Sequence, residues 1–288
     1  MRYRFLRFPE GKLKAVTFSY DDGVIQDIRF SEMLNKYSMK CTFNLNTMLF
    51  GSKTKNGRRL TVDEVKEHII PAGHEIAIHG DQHIATASCR PIEAIKDVLN
   101  CRLKLEELFD RTIRGMAYPD SGITKSDNGN TYSTVKQILT DIDVVYSRTL
   151  GGDNNSFRLP DDFHAWMPTA HHNNPAIFDW INQFNSINES TVYSHGRYPR
   201  LFYVWGHSYE FDMRNDWDRM EKVCSELAGK ADTWYATNME IYEYVAAYRS
   251  LIISADGMRV YNPTLIDVWF DLDGKLYKVE SGSTVICG

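Results

Sequence analysis

The chain has few cysteines and no arrangement of them that suggests chemistry. Its five (Cys41, Cys89, Cys101, Cys224 and Cys287) are odd in number and scattered, with no CxxC pair, which argues against a disulfide framework and against a thiolate zinc site. An excess of positive charge is missing too. With 33 Lys and Arg against 38 Asp and Glu the net charge is -5, so nothing marks a nucleic-acid or anionic-membrane partner, and a neutral substrate fits better. No segment approaches the ~18 apolar residues of a membrane span. The start, "MRYRFLRFPEGKLKAV", lacks the uninterrupted apolar core of a signal peptide. The expected location is therefore the cytoplasm, although a chain trimmed of a leader would read the same. Internal repeats and low-complexity tracts are absent, and nothing in the sequence sets the oligomeric state.

What is present is the composition of a globular chain: 43% hydrophobic residues and 25% charged in 288 residues, enough for a large core. Strand-like runs alternate with helix-like ones, the pattern of βα units on a parallel sheet. "KAVTFSY" (14–20), "CTFNLN" (41–46), "GHEIAIHG", "IRGMAYPDSG", "DVVYSRTL", "DFHAWMPTAHH", "RLFYVWGHS" and "DTWYAT" read as strands or strand ends. Helices are expected over 24–37, over 91–109, at "WDRMEKVCSELAGK" and at "NMEIYEYVAAYRSLI". Thr61 and Glu64 form a capping box. About seven such units suggest a distorted (β/α)7 barrel over residues 1–250. Beyond 250 the pattern shortens, and Asp-Gly pairs at 256–257 and 273–274 signal hairpins, hence a small antiparallel β appendage over 251–288. The basic stretch "GSKTKNGRR" (51–59) reads as a solvated loop.

In a parallel barrel the functional groups gather at the carboxyl ends of the strands. Those ends carry Asp21 and Asp22, then His79 and His83, Tyr118 to Asp120, Arg148, Trp166 with His171 and His172, and His207. "HGDQH" places His79 and His83 at i and i+4, on one side of a turn, as a divalent metal requires, and two His with one carboxylate leave positions open for water and substrate. "HEIAIH" resembles HExxH but is one residue too long, and on a strand His74 and His79 face opposite ways.

"TFSYDDG", "HGDQH", "AYPDSG", "DFHAW" and "YVWGHS" occur in the order of the motifs of the NodB-like polysaccharide deacetylases, carbohydrate esterases that remove acetyl groups from sugars, and the chain resembles that family over residues 14 to about 245. The resemblance implies a deacetylase acting on an acetylated carbohydrate, N- or O-acetyl. Asp21 is then the general base on the attacking water, Asp22, His79 and His83 hold one divalent metal (zinc, or cobalt, nickel or another), and His207 is the general acid. The metal and a backbone N–H after Pro119 would hold the oxyanion. The third motif departs from the family's Arg-x-Pro-Tyr: Ala117 and Asp120 stand in the Arg and Tyr places, and Arg148 is the candidate to replace the missing arginine. Gly80 stands where Ser or Thr is common. Tyr118, Pro119, Asp120, Trp166, His171, His172 and Trp205 are candidates for lining or supporting the site. Trp166 would wall the acetyl pocket or stack on a sugar unless it is core. Two alternatives stay open: hydrolysis of another non-peptide amide on the same fold, and a sugar-binding pseudoenzyme.

Overall fold

A computed structural model describes residues 3–120, 122–150, 154–188 and 196–288. Seven parallel strands build its centre, in the order Tyr146–Arg148, Gly115–Ala117, Glu75–Ile78, Cys41–Leu45, Lys14–Asp21, Arg200–Gly206, Ala170–His171. An eighth, Thr233–Tyr235, pairs with Lys14 to Val16, below the point where Cys41 begins to pair at Phe18. The two ends of this row meet through one segment: Trp166 forms a parallel bridge with Arg148, and four residues on Ala170 pairs with Val204. The sheet thereby curls into a distorted (β/α)7 barrel.

The first barrel strand shows why the curl holds. Along "KAVTFSYD" successive side chains alternate faces. Val16, Phe18 and Tyr20 point outward and pack with Phe30 and Leu34 of the helix Gln26–Lys36. Ala15, with Tyr146, Trp166 and Tyr203, lines the lower lumen, while Ser19 and Asp21 reach its polar upper end. The floor is plugged by the first residue of the helix Asn238–Arg249. Asn238 accepts from Thr17 Oγ1 at 2.9 Å, donates through Nδ2 to Tyr203 Oη and donates its backbone N–H to Thr42 Oγ1 at 3.0 Å.

The helix Pro91–Phe109 covers the expected residues, and both bonds of the Thr61–Glu64 capping box form. The stretch 51–59 differs from a plain solvated loop. Lys53–Thr54 and Gly57–Arg58 make a two-strand hairpin that carries Arg59 against the barrel mouth. The C-terminal residues form antiparallel sheets, with the hairpin of Val268–Leu272 and Lys275–Val279 turning at Asp273–Gly274, both in the left-handed region that this turn demands. The N-terminal strand Arg4–Arg7 completes that sheet by pairing with Val268–Leu272, so the appendage draws on both ends of the chain.

Candidate functional site

Asp21 ends the first barrel strand, pointing into the lumen beside Ser19, and the register sets it against Asn44. Asn44 Nδ2 donates to Asp21 Oδ1 at 2.9 Å and to Ser19 Oγ at 2.8 Å. The other oxygen, Oδ2, receives the Arg148 guanidinium, whose Nε also donates to Ser19 (3.2 Å) and whose Nη1 donates to Thr149 O (3.0 Å). The Trp205 ring lies under the guanidinium, 4.5 Å from its carbon. Arg148 and Asp21 are 0% and 1% exposed. Burial works against the Asp21 charge, but Arg148, His79 and His207 outweigh it and hold the carboxyl below its ordinary range.

Asp22 would face away from Asp21 on a regular strand. Its backbone instead adopts φ +83°, followed by Gly23 at +60°, and this left-handed turn brings its carboxylate back to the barrel mouth. Asp22 Oδ1 lies 3.9 Å from His79 Nε2 and 3.6 Å from His83 Nε2. His79 Nδ1 bonds to Ala117 O at 2.9 Å, which places the proton on Nδ1 and leaves the Nε2 lone pair facing the carboxylates. Asp22 Oδ1 is buried and accepts no well-aligned hydrogen bond, although Arg59 Nη1 stands 2.9 Å away. One carboxylate oxygen and two imidazole nitrogens thus converge within 4.8 Å of one another. Lone pairs so gathered repel unless a cation lies among them, so these residues fit a divalent metal.

Gly80 and Asp97 shape the loop that presents the two histidines. Gly80 sits at φ +76°, and a Cβ there would collide with Asp97 Oδ2. Asp97 Oδ1 accepts from Gln82 N at 2.7 Å. A hydroxyl-bearing residue at 80 is therefore excluded by space as well as by backbone.

His207 follows the strand Arg200–Gly206, and Glu210 lies one helical turn on, 2.8 Å from His207 Nδ1. Burial lowers the affinity of this imidazole for a proton, yet Glu210, Asp21 and Asp22 together raise its pKa. His171 Nε2 lies 3.3 Å from the same Glu210 oxygen, and buried His172 presents its Nε2 to the other at 3.7 Å.

Residues 8–138 match the family model described as polysaccharide deacetylase. Over that stretch, a little under half of its length, the chain is similar to the polysaccharide deacetylase family. No curated protein matches this chain in sequence. Among solved structures it is similar to a Mycobacterium smegmatis protein described by the same family name, at 16% identity over 85% of this chain and 94% of that one, with a TM-score of 0.55, a likeness of fold. It is also similar to the Streptococcus pyogenes deacetylase PplD in complex with acetate (21% identity, 47% of this chain, 55% of that one, TM-score 0.40). The chain spans about half of that protein's length. A third is a CE4 family pseudoenzyme from Bacillus anthracis (14%, 83% and 68%, TM-score 0.44).

The remaining candidate residues fall into two groups. Asp120 stands open at the mouth at φ +47°, with Oδ2 3.6 Å from His83 Nδ1. Pro119 precedes it, and Trp205 backs Arg148. Trp166, by contrast, is 1% exposed and packed edge-on against Tyr146, Phe163 and Tyr203, so no ring face is open to a sugar; its contribution is to core and barrel closure. Tyr118 is buried likewise, its hydroxyl donating to His164 O at 2.8 Å. Asp162, four residues before Trp166, serves Tyr132 and Lys136, away from the mouth. Arg59, Asn44 and Asp97 escaped the sequence reading. Each reaches the site from a different segment, and only Arg59 left a trace, as part of the basic stretch.

Proposed function

We propose that this chain is a metal-dependent hydrolase that removes acetyl groups from an acetylated carbohydrate. The observation that carries the reading is Asp21, ionised between Arg148 and Asn44 beside the Asp22, His79 and His83 cluster. A divalent cation such as zinc, held by those three residues, would supply a Lewis acid that makes water more acidic and polarises an acetyl carbonyl. Asp21 takes the proton of the attacking water, and Arg148 and Asn44 keep its carboxylate charged and aimed. The backbone N–H of Asp120, in the turn after Pro119, is the candidate donor to the developing oxyanion. His207 then gives a proton to the leaving hydroxyl or amine as the bond to the acetyl carbon breaks, and acetate departs. A sugar-binding pseudoenzyme would have no use for a buried, arginine-paired base, so catalysis is favoured.

Acetate release from N-acetylated sugar oligomers and O-acetylated xylan, with and without chelator, tests this. The expected outcome is release from at least one class, abolished by chelator and restored by a divalent ion. A metal-loaded protein that frees acetate from neither, or an activity indifferent to chelator, would overturn it.

A further inference from the structure

Glu210 is the point on which the second histidine cluster converges. Its Oε1 meets His207 Nδ1 at 2.8 Å and His171 Nε2 at 3.3 Å. Its Oε2 accepts from Asn173 Nδ2 at 2.7 Å, with His172 Nε2 and Arg214 at 3.7 and 3.6 Å. His171, His207 and Glu210 also have the spacing of a metal site. The backbone decides between the two uses. Asn173 N–H donates to His171 Nδ1 at 3.1 Å, so that nitrogen carries the lone pair and the proton sits on Nε2, turned toward Glu210. A nitrogen bearing a proton is a donor to a carboxylate and not a ligand to a metal. Tyr20 Oη, 3.1 Å from His172 Nδ1, allows the same arrangement there, with the buried and otherwise unpartnered Nε2 facing the carboxylate.

We infer that Glu210 is the positioning residue of the proton donor: clamped by His171, Asn173 and His172, it holds His207 by Nδ1–H so that Nε2 is the nitrogen that exchanges the proton. This rests on His207 being the general acid. In the step itself the Nε2 proton passes to the leaving oxygen or nitrogen as its bond to the acetyl carbon breaks. The imidazole ends neutral with Nδ1–H still on Glu210, and Nε2 is reprotonated from the proton that Asp21 took from water, by way of solvent. His207 stands just before the helix Tyr209–Arg214, and the Glu210 N–H donates to His207 O at 3.1 Å, which fixes the two residues relative to each other. Asp22 and Asp21 act on His207 from the first barrel strand, His171 and His172 from the sixth, and Arg214 beyond Glu210 on its own helix. Burial opposes the Glu210 charge, but the histidines hold its carboxyl far below the ordinary range, so it stays an anion throughout the working pH.

Nitrogen-15 NMR of the zinc-loaded protein reads the histidine tautomers directly, without any variant. The expected result is Nε2–H on His171 and a proton on His207 Nδ1 at every pH. Glu210→Gln should lower the His207 pKa by about one unit or more, the size of a lost charge-assisted partner. It should lower kcat by about 100-fold with KM changed less than threefold, and move the alkaline limb of the kcat profile to lower pH by the same amount, because the acid loses its proton sooner. Glu210→Asp should recover part of both. An unprotonated His207 Nδ1, an unshifted pKa in a folded Glu210→Gln, or a second zinc per chain that this variant loses would overturn the inference. If the unmutated protein frees no acetate, the function proposed above fails, and the tautomers and the His207 titration still decide this one.

Discussion

Asp21 and Arg148 show how far single residues can be read. The adjacent carboxylates and the two histidines of "HGDQH" are local in sequence, and their spacing alone points to a cation. Arg148 is a hundred and more residues from Asp21, yet the two side chains meet because their strands close one lumen. The pair is fully buried, so removing one partner strands the other's charge. Arg148→Ala should destabilise the fold by about 3–5 kcal/mol in denaturant titrations, and the surviving folded fraction should bind zinc while losing at least about 100-fold in kcat. A folded variant with the unmutated rate would show that Arg148 does not serve the base. Asn44 and Asp97 could not be read in this way, since an amide or acid in a strand or helix carries no local sign of what it will face.

Among elements, the strand Glu75–Ile78 is where charge and burial conflict. Glu75 is half-buried and accepts from Tyr146 Oη at 2.5 Å, Thr42 Oγ1 at 2.7 Å and Met239 N at 2.9 Å, so one carboxyl ties residues of two other barrel strands to the start of the helix Asn238–Arg249. Burial outweighs those donors and pushes it up to about 7 from an ordinary 4.5. The native state thus keeps a proton that the unfolded chain releases above pH 4.5. Stability is greatest below that value and falls as pH rises toward 7, by about 3 kcal/mol from this group. Asp27, also pushed up to about 7 by burial, adds to the same slope. Glu75→Gln should flatten the decline between pH 5 and 7 in a urea-melt series without abolishing it. An unchanged slope would remove Glu75 from this account. The alternation of the strands and the helical faces were legible because periodicity is local. The hairpin under Arg59 was not, because two-residue strands leave too short a pattern.

At the scale of the whole molecule the two chain ends share one sheet. Arg4–Arg7 pairs with Val268–Leu272, and buried Arg7 stands 3.6 Å from Asp271. Cutting the chain at residue 250 would take away the strand that pairs with Arg4–Arg7 and leave Arg7 without its acid, a loss of about 3–5 kcal/mol from the charge alone against the 5–15 kcal/mol typical of a folded domain. The truncated chain should be insoluble or lose its cooperative thermal transition; a soluble 1–250 chain with unchanged melting would refute this. By itself the sequence determined most of the succession of strands and helices, the terminal hairpins and the candidate acids and histidines at the strand ends, because these depend on spacing between near neighbours. The tertiary structure alone decided which groups stand together: Arg148 on Asp21, Arg59 on Asp22, Glu210 among three histidines, and Trp166 in the core. Such pairings are set by strand order and barrel closure, and a side chain's partner across the lumen follows from the curvature of the whole sheet.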